Sequence, residues 1–273
     1  MENYISKGRL VEIFERTTKH ELEILALLNE AKFMTTEQVR RWFFAKNENE
    51  LSAKRATNRT MKKLEDAKLI AKLPRRIGGY FRENYGGSAP SVWKLTETGY
   101  KILRLKHAEL PVSRKHRIEG KPLFLEHDLG VMDASTNFRE LEFSRKIAQL
   151  KLEFEPKCWR GFMNAGEPVS LKPDLYVRLI NAGYEESYFL EIDRATEPIQ
   201  RIFAKCQTYV SYFNTGIEEK TTGLTPYIVW LVPDEKRRDA VEKLFREKMP
   251  EASMLFQVIM EQELKTLVAG EEK

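Results

Sequence analysis

The sequence predicts an α+β protein in two parts: a basic helical module closed by a β-hairpin, then an acidic mixed sheet flanked by helices. Three observations carry this expectation. The first is charge. Residues 1–123 hold 26 Lys and Arg against 15 Asp and Glu, a net of +11, whereas residues 124–273 hold 20 against 26, a net of −6. The second is periodicity, with apolar residues at helical spacing early in the chain and strand-like alternation later. The third is the order of elements in each half, which suits two different layer architectures. A length of 273 residues, 42% hydrophobic and 32% charged, accommodates two medium domains with real cores.

From His20 a helix is expected, with Leu22, Leu25, Ala26 and Leu28 along one stripe. Thr35 or Thr36 then caps a short helix through Val39, Trp42 and Phe43. A third helix runs from about Ser52 to Asp66. Its Ala53, Thr57, Thr60, Met61 and Leu64 fall on one side, and Lys54, Arg55, Asn58, Arg59 and Lys62 on the other. Leu69–Leu73 and Ser91–Thr96 are strands, joined by a segment containing Arg75, Arg76 and Arg82, and Thr96-Glu97-Thr98-Gly99 opens another helix. Three helices followed by a hairpin form the winged helix-turn-helix arrangement. The basic face of its third helix suits the major groove of double-stranded DNA, and Arg75 and Arg76 suit the backbone or minor groove. The fold also serves protein contacts, a homodimer among them. The module is expected over 18–105, with a basic linker over 106–122.

The second domain is expected over 123–262. Its elements are a helix from Leu123 to about Phe143, strands at Leu150–Lys157, Pro173–Ile180 and Tyr188–Asp193, and a helix from Pro198 to Phe213. A strand at Tyr227–Val232, a helix over Asp234–Lys248 and a short strand near Met254–Val258 complete it. The large aromatic residues, Trp159 and Trp230 included, are expected in the core. The αβββαβ order places Pro173-Asp174 at the start of one strand and Glu191-Ile192-Asp193 at the end of the next. Residues two apart in a strand share a face, so Glu191 and Asp193 point together, and a hairpin pairing brings Asp174 to them. Three such carboxylates form a hard-oxygen site for Mg2+ or Mn2+.

This pattern resembles the PD-(D/E)XK nuclease superfamily. The resemblance implies catalytic and metal-binding roles for Asp174, Glu191 and Asp193. Asp193 stands where that family usually has lysine, and Lys205 on the following helix is the candidate replacement. Lys205-x-x-x-Tyr209 is similar to the helical Gln-x-x-x-Tyr signature of nucleases like RecB, which adds Tyr209 to the site. The bland alternative is a set of ordinary polar positions: Asp174 closing a turn, Glu191 and Asp193 paired with Arg194 or Arg201, and Tyr209 in the core.

A broader resemblance spans about Thr18 to Val258. Thr35-Thr36-Glu37-Gln38-Val39, Val92-Trp93-Lys94-Leu95-Thr96-Glu97-Thr98-Gly99, Leu125-Glu126-His127-Asp128-Leu129, Lys172-Pro173-Asp174 and Leu190-Glu191-Ile192-Asp193-Arg194, in that order, resemble the plasmid replication-relaxation family of bacteria. The resemblance implies a DNA-binding role in plasmid replication or maintenance. Its second domain either nicks DNA or, in a non-catalytic initiator or regulator, mediates oligomerisation or partner docking. No apolar run approaches the ~18 residues of a membrane span, and Met1-Glu2-Asn3-Tyr4 lacks the pattern of a secretory signal. Cys158 and Cys206 have no metal-binding spacing and suit reduced thiols, so a cytoplasmic location without membrane contact is expected.

Overall fold

A computed structural model of the chain describes residues 6–46, 49–73, 91–111 and 122–270. The chain is α+β with a mixed sheet and divides into two compact units, one up to Met132 and one from Asp133. No helix among the described residues is long and apolar enough to cross a membrane.

The first unit contains α1 (Lys7–Arg16), α2 (Lys19–Ala31), β1 (Phe33–Thr35), α3 (Thr36–Phe43), α4 (Glu50–Asp66), β2 (Ile70–Lys72), β3 (Val92–Leu95) and α5 (Glu97–Lys106). Side chains that satisfy orphan amide donors start all five of these helices: Ser6 accepts from Arg9 N–H, Thr18 and Thr35 form capping boxes with Glu21 and Gln38, Asn49 accepts from Leu51 N–H, and Thr96 accepts from Gly99 N–H. Thr35, the first of the two expected candidates, is thus the cap of α3. The three strands form one antiparallel sheet in the order β1-β3-β2. Neither α1 nor β1 is foreshadowed by the sequence pattern.

Leu25, Leu28, Met34, Val39, Met61, Leu64, Leu69, Val92, Ile102 and Leu103 make the core of this unit. A bridge between α2 and α4 lies at its edge, where the buried Glu21 pairs with Lys63 at 2.7 Å. Burial works against the Glu21 charge, but Lys63 and the Thr18 amide outweigh it and hold its pKa below the ordinary glutamate value. The start of α5 lies close over the strand opening at β2. A Cβ on Gly99 would lie 2.2 Å from the Leu69 carbonyl oxygen, so this crossing requires glycine.

The helix α6 (Pro122–Phe143) contributes Leu129 to a cluster with Phe33 and Val92, and Gln38 Nε2 donates to the Leu129 carbonyl at 2.9 Å. Its residues from Asp133 belong to the second unit. There follow β4 (Ala148–Phe154), β5 (Arg160–Asn164), β6 (Glu167–Leu171), β7 (Leu175–Asn181), β8 (Tyr184–Ile192), α7 (Ile199–Phe213), α8 (Ile217–Thr222), β9 (Tyr227–Val232), α9 (Glu235–Lys248), β10 (Phe256–Met260) and α10 (Leu264–Ala269). The main sheet runs β10-β9-β8-β7-β4. β8, β9 and β10 are parallel neighbours, and β7 is antiparallel to both β8 and β4. Ala182 and Gly183, at φ 47° and 87°, turn β7 into β8, as a tight hairpin requires. One sheet face packs Tyr176, Phe189, Ile228 and Trp230 against Ile202, Cys206 and Tyr209 of α7 and Val241 and Phe245 of α9. β5 and β6 form a separate hairpin that the sequence pattern does not announce.

Candidate functional site

β7 and β8 pair with Leu175 opposite Leu190, which brings Asp174, just before β7, alongside Glu191 near the end of β8. The Asp174 amide donates to the Leu190 carbonyl at 3.1 Å. Its carboxylate Oδ2 accepts from the Ile192 amide at 2.7 Å. The first carboxylate is therefore fixed by the hairpin itself. Glu191 is almost wholly buried, at 1% exposure.

α7 crosses the same face of the sheet and brings two side chains one turn apart onto Glu191. Lys205 Nζ donates to Glu191 Oε2 and lies 3.6 Å from Asp174 Oδ1. The Tyr209 hydroxyl donates to Glu191 Oε1 at 2.6 Å. Both oxygens of a buried carboxylate are thus occupied, one by a cation and one by a phenol. The Glu191 carboxyl is pushed up to about 8 as the net of burial, which raises it, Lys205, which lowers it, Asp174, which raises it, and the hydrogen bonds from Lys205 and Tyr209, which lower it. Burial also disfavours the Lys205 ammonium, but Asp174 and Glu191 prevail and its pKa lies above the ordinary lysine value. At neutral pH the pocket accordingly holds a charged Lys205 and a Glu191 carboxyl that takes up a proton readily.

Asp193 has different partners. Its carboxylate forms a fork with the Arg237 guanidinium of α9, with Nη2 at 3.2 Å from Oδ1, and Oδ1 also accepts the Ala195 amide at 2.9 Å. Arg237 Nη2 donates on to the Glu197 carbonyl at 2.8 Å. The structure therefore brings Asp174, Glu191, Lys205 and Tyr209 together and ties Asp193 to α9. Among the described residues no group of three His, Cys, Asp or Glu side chains is arranged to hold a metal ion. Arg201 pairs at the surface with Glu197, and Arg194, its side chain largely buried, pairs with Glu261.

Two neighbours of the cluster carry no signal in the sequence. Glu155, just past β4, is near enough to raise the pKa of Lys205, after Asp174 and Glu191. The Cys158 thiol donates to the Pro173 carbonyl at 3.0 Å, next to Asp174, and burial with Glu155 and Asp174 pushes it up to about 12, so it is an inert thiol. Arg237 is equally unmarked, because its partner lies 44 residues away.

In the first unit, Ala53, Thr57, Met61 and Leu64 of α4 are buried, and Lys54, Arg55, Asn58, Arg59 and Lys62 are exposed. Lys54 pairs with Glu50 at 2.9 Å and Lys62 with Asp66 at 2.8 Å, both within the helix. Arg55, Asn58 and Arg59 have no side-chain partner among the described residues. Arg75, Arg76 and Arg82 lie outside the described residues, as does most of the expected linker.

No curated protein and no solved structure matches the chain. A family profile described as replication-relaxation matches residues 25–228, about three quarters of the sequence, a span that takes in α4, both site strands and the whole of α7. The chain belongs to the replication-relaxation family.

Proposed function

We propose that this protein is a DNA-binding factor of plasmid replication or maintenance whose second unit cleaves or nicks DNA with a divalent metal. The observation that carries the reading is the buried constellation of Asp174, Glu191, Lys205 and Tyr209. Buried acids beside a cation, with one pKa far from its ordinary value, are costly for a fold and are commonly retained for chemistry. The arrangement agrees with a PD-(D/E)XK nuclease-like domain in which Lys205 has replaced the strand lysine.

The donor set suits Mg2+ or Mn2+: Asp174 and Glu191 bring hard oxygens to one buried place and already bind one cation, the Lys205 ammonium. Such an ion would supply Lewis-acid polarisation of a phosphate oxygen and a more acidic water. Lys205 would then stabilise charge on the scissile phosphate, and Tyr209 would fix the orientation of Glu191. Asp193 completes the set of acids only by leaving Arg237. Wild-type protein is expected to nick supercoiled plasmid with Mg2+ or Mn2+. Asp174→Ala and Glu191→Ala should each lower the rate by about 100-fold or more, the scale of losing one charge-stabilising group. Nicking that survives both substitutions would refute the site.

The first unit, read as a winged helix, would dock α4 in the major groove through Lys54, Arg55, Asn58, Arg59 and Lys62. Arg55 and Arg59 are the best placed, since no intrahelical acid competes for them. Converting both to Ala is expected to weaken duplex binding and to lower the slope of log affinity against log salt by about 1 for each phosphate no longer neutralised. Titrations at several salt concentrations measure it, and an unchanged slope would move the interface elsewhere. A second reading, a non-catalytic initiator or regulator, is favoured by the Asp193–Arg237 pair, which occupies one of the three acids. Intact DNA binding without nicking under either metal would select it.

A further inference from the structure

Trp159 departs from the expected core position. It is 36% exposed, in the turn between β4 and β5, and Lys172 Nζ lies 4.7 Å from its ring centroid. Lys172 is itself exposed, and this ring is its only side-chain partner among the described residues. Both residues adjoin the carboxylate cluster. Cys158, the neighbour of Trp159, donates its thiol to the carbonyl of Pro173, the neighbour of both Lys172 and Asp174. The position of the ring is held from behind: the Trp159 amide donates to the Pro156 carbonyl at 3.1 Å. Arg160, next in sequence, is locked by Glu218 at 2.9 Å and lies over the Tyr176 ring at 4.7 Å. About a third of a large aromatic residue, with one exposed lysine over its ring, is thus presented in a turn that adjoins buried acids. Lys172 has no acidic side-chain partner among the described residues, so no ion pair holds it on the ring.

We propose that Trp159 and Lys172 form a platform for an unpaired DNA base, so that the site at Asp174 and Glu191 acts on DNA with a single-stranded segment. Stacking of a base on an aromatic ring is worth more than the exposed cation–π contact it would displace. The displaced ammonium is then free for the adjoining phosphate, so the exchange retains its electrostatic value. A base within a duplex cannot present its face to the ring, and this is what makes the platform selective for unpaired DNA.

This inference rests on the reading that the second unit acts on DNA, and its test therefore uses binding rather than cleavage. A short single-stranded oligonucleotide carrying 2-aminopurine is titrated with the full chain in EDTA, in parallel with a duplex of the same sequence. Trp159→Ala is expected to weaken single-strand binding about tenfold and to abolish the quenching of the fluorescent base. Trp159→Phe should retain most of both, Lys172→Ala should lower affinity and salt dependence together, and duplex affinity should stay within twofold. Equal single-strand affinity and quenching in wild type and Trp159→Ala would overturn the proposal, as would an equal loss on duplex. Trp159-dependent quenching by a protein that nicks nothing would sustain the platform while removing the cleavage reading. Thermal melting of each variant checks that the fold is intact.

Discussion

Replacing Lys205 by Met is expected to destabilise the second unit by about 3 kcal/mol at pH 10, and by much less at pH 6. The ammonium is the cation between two carboxylates, one of which is 1% exposed. Removing one partner of a buried ion pair typically costs about 3–5 kcal/mol, because the remaining charge is left uncompensated. The lower figure applies here, since the Lys205 side chain is 31% exposed and water reaches it in part. Methionine keeps most of the stem volume, so lost packing contributes little. Without Lys205 the Glu191 carboxyl loses the interaction that most favours its ionised form, and its pKa rises further. Below pH 8 Glu191 is protonated with or without Lys205, so no charge there needs compensating and the deficit shrinks as pH falls. Urea unfolding of wild type and variant at both pH values measures this. Adding Glu191→Gln to Lys205→Met should recover part of the loss at pH 10. A deficit equal at the two pH values would show that Lys205 acts through packing alone.

The readable parts of this chain are those whose physics is local. Tyr227–Val232 is a strand over the same residues that its apolar run predicts, because a central strand buried on both faces leaves a continuous hydrophobic signature. The Thr35 cap is legible because cap chemistry is short-range. The facing of Lys205 and Tyr209 follows from helix geometry, and the alignment of Asp174 with Glu191 from assuming a hairpin. The hairpin of β5 and β6 is not legible. Its strands alternate little, include Gly161 and Pro168, and expose most of their residues, so no period marks them. The partner of Asp193 is equally hidden. Glu191 and Asp193 do share a strand face, but α9 covers the end of that face with Arg237, and nothing within the neighbouring sequence encodes which helix will lie there. Trp159 defies the expected core position because bulk aromatic character predicts burial on average, whereas its place in a turn leaves a third of it in water.

The same glutamate should make the stability of the whole second unit depend on pH in a definite direction. Folding raises its pKa from 4.5 to about 8, which means that the folded chain holds this proton more tightly than the unfolded one. The resulting stabilisation is complete below pH 4.5 and is lost as pH rises through 8. Between those limits the unfolded chain has released one proton that the folded chain keeps, so unfolding free energy falls by about 1.4 kcal/mol per pH unit. Lys205 does not blur this window: its pKa is raised above 10.5, so its contribution fades only at higher pH. The thiol of Cys158, pushed up from 9.0 to about 12, likewise acts above it. Glu191→Gln removes the titrating group, and its stability curve between pH 5 and 8 should be flatter than that of the wild type by about one proton. The substitution has a cost of its own, since an amide offers only one acceptor oxygen to the two donors, Lys205 and Tyr209. The slope is for that reason the diagnostic quantity, and the absolute stability is not. Parallel slopes in the two proteins would mean that Glu191 is ionised throughout, with Lys205 and Tyr209 compensating its burial in full. The cluster would then be a static ion pair rather than a carboxyl poised to exchange its proton at neutral pH, and general acid–base work by Glu191 would be excluded.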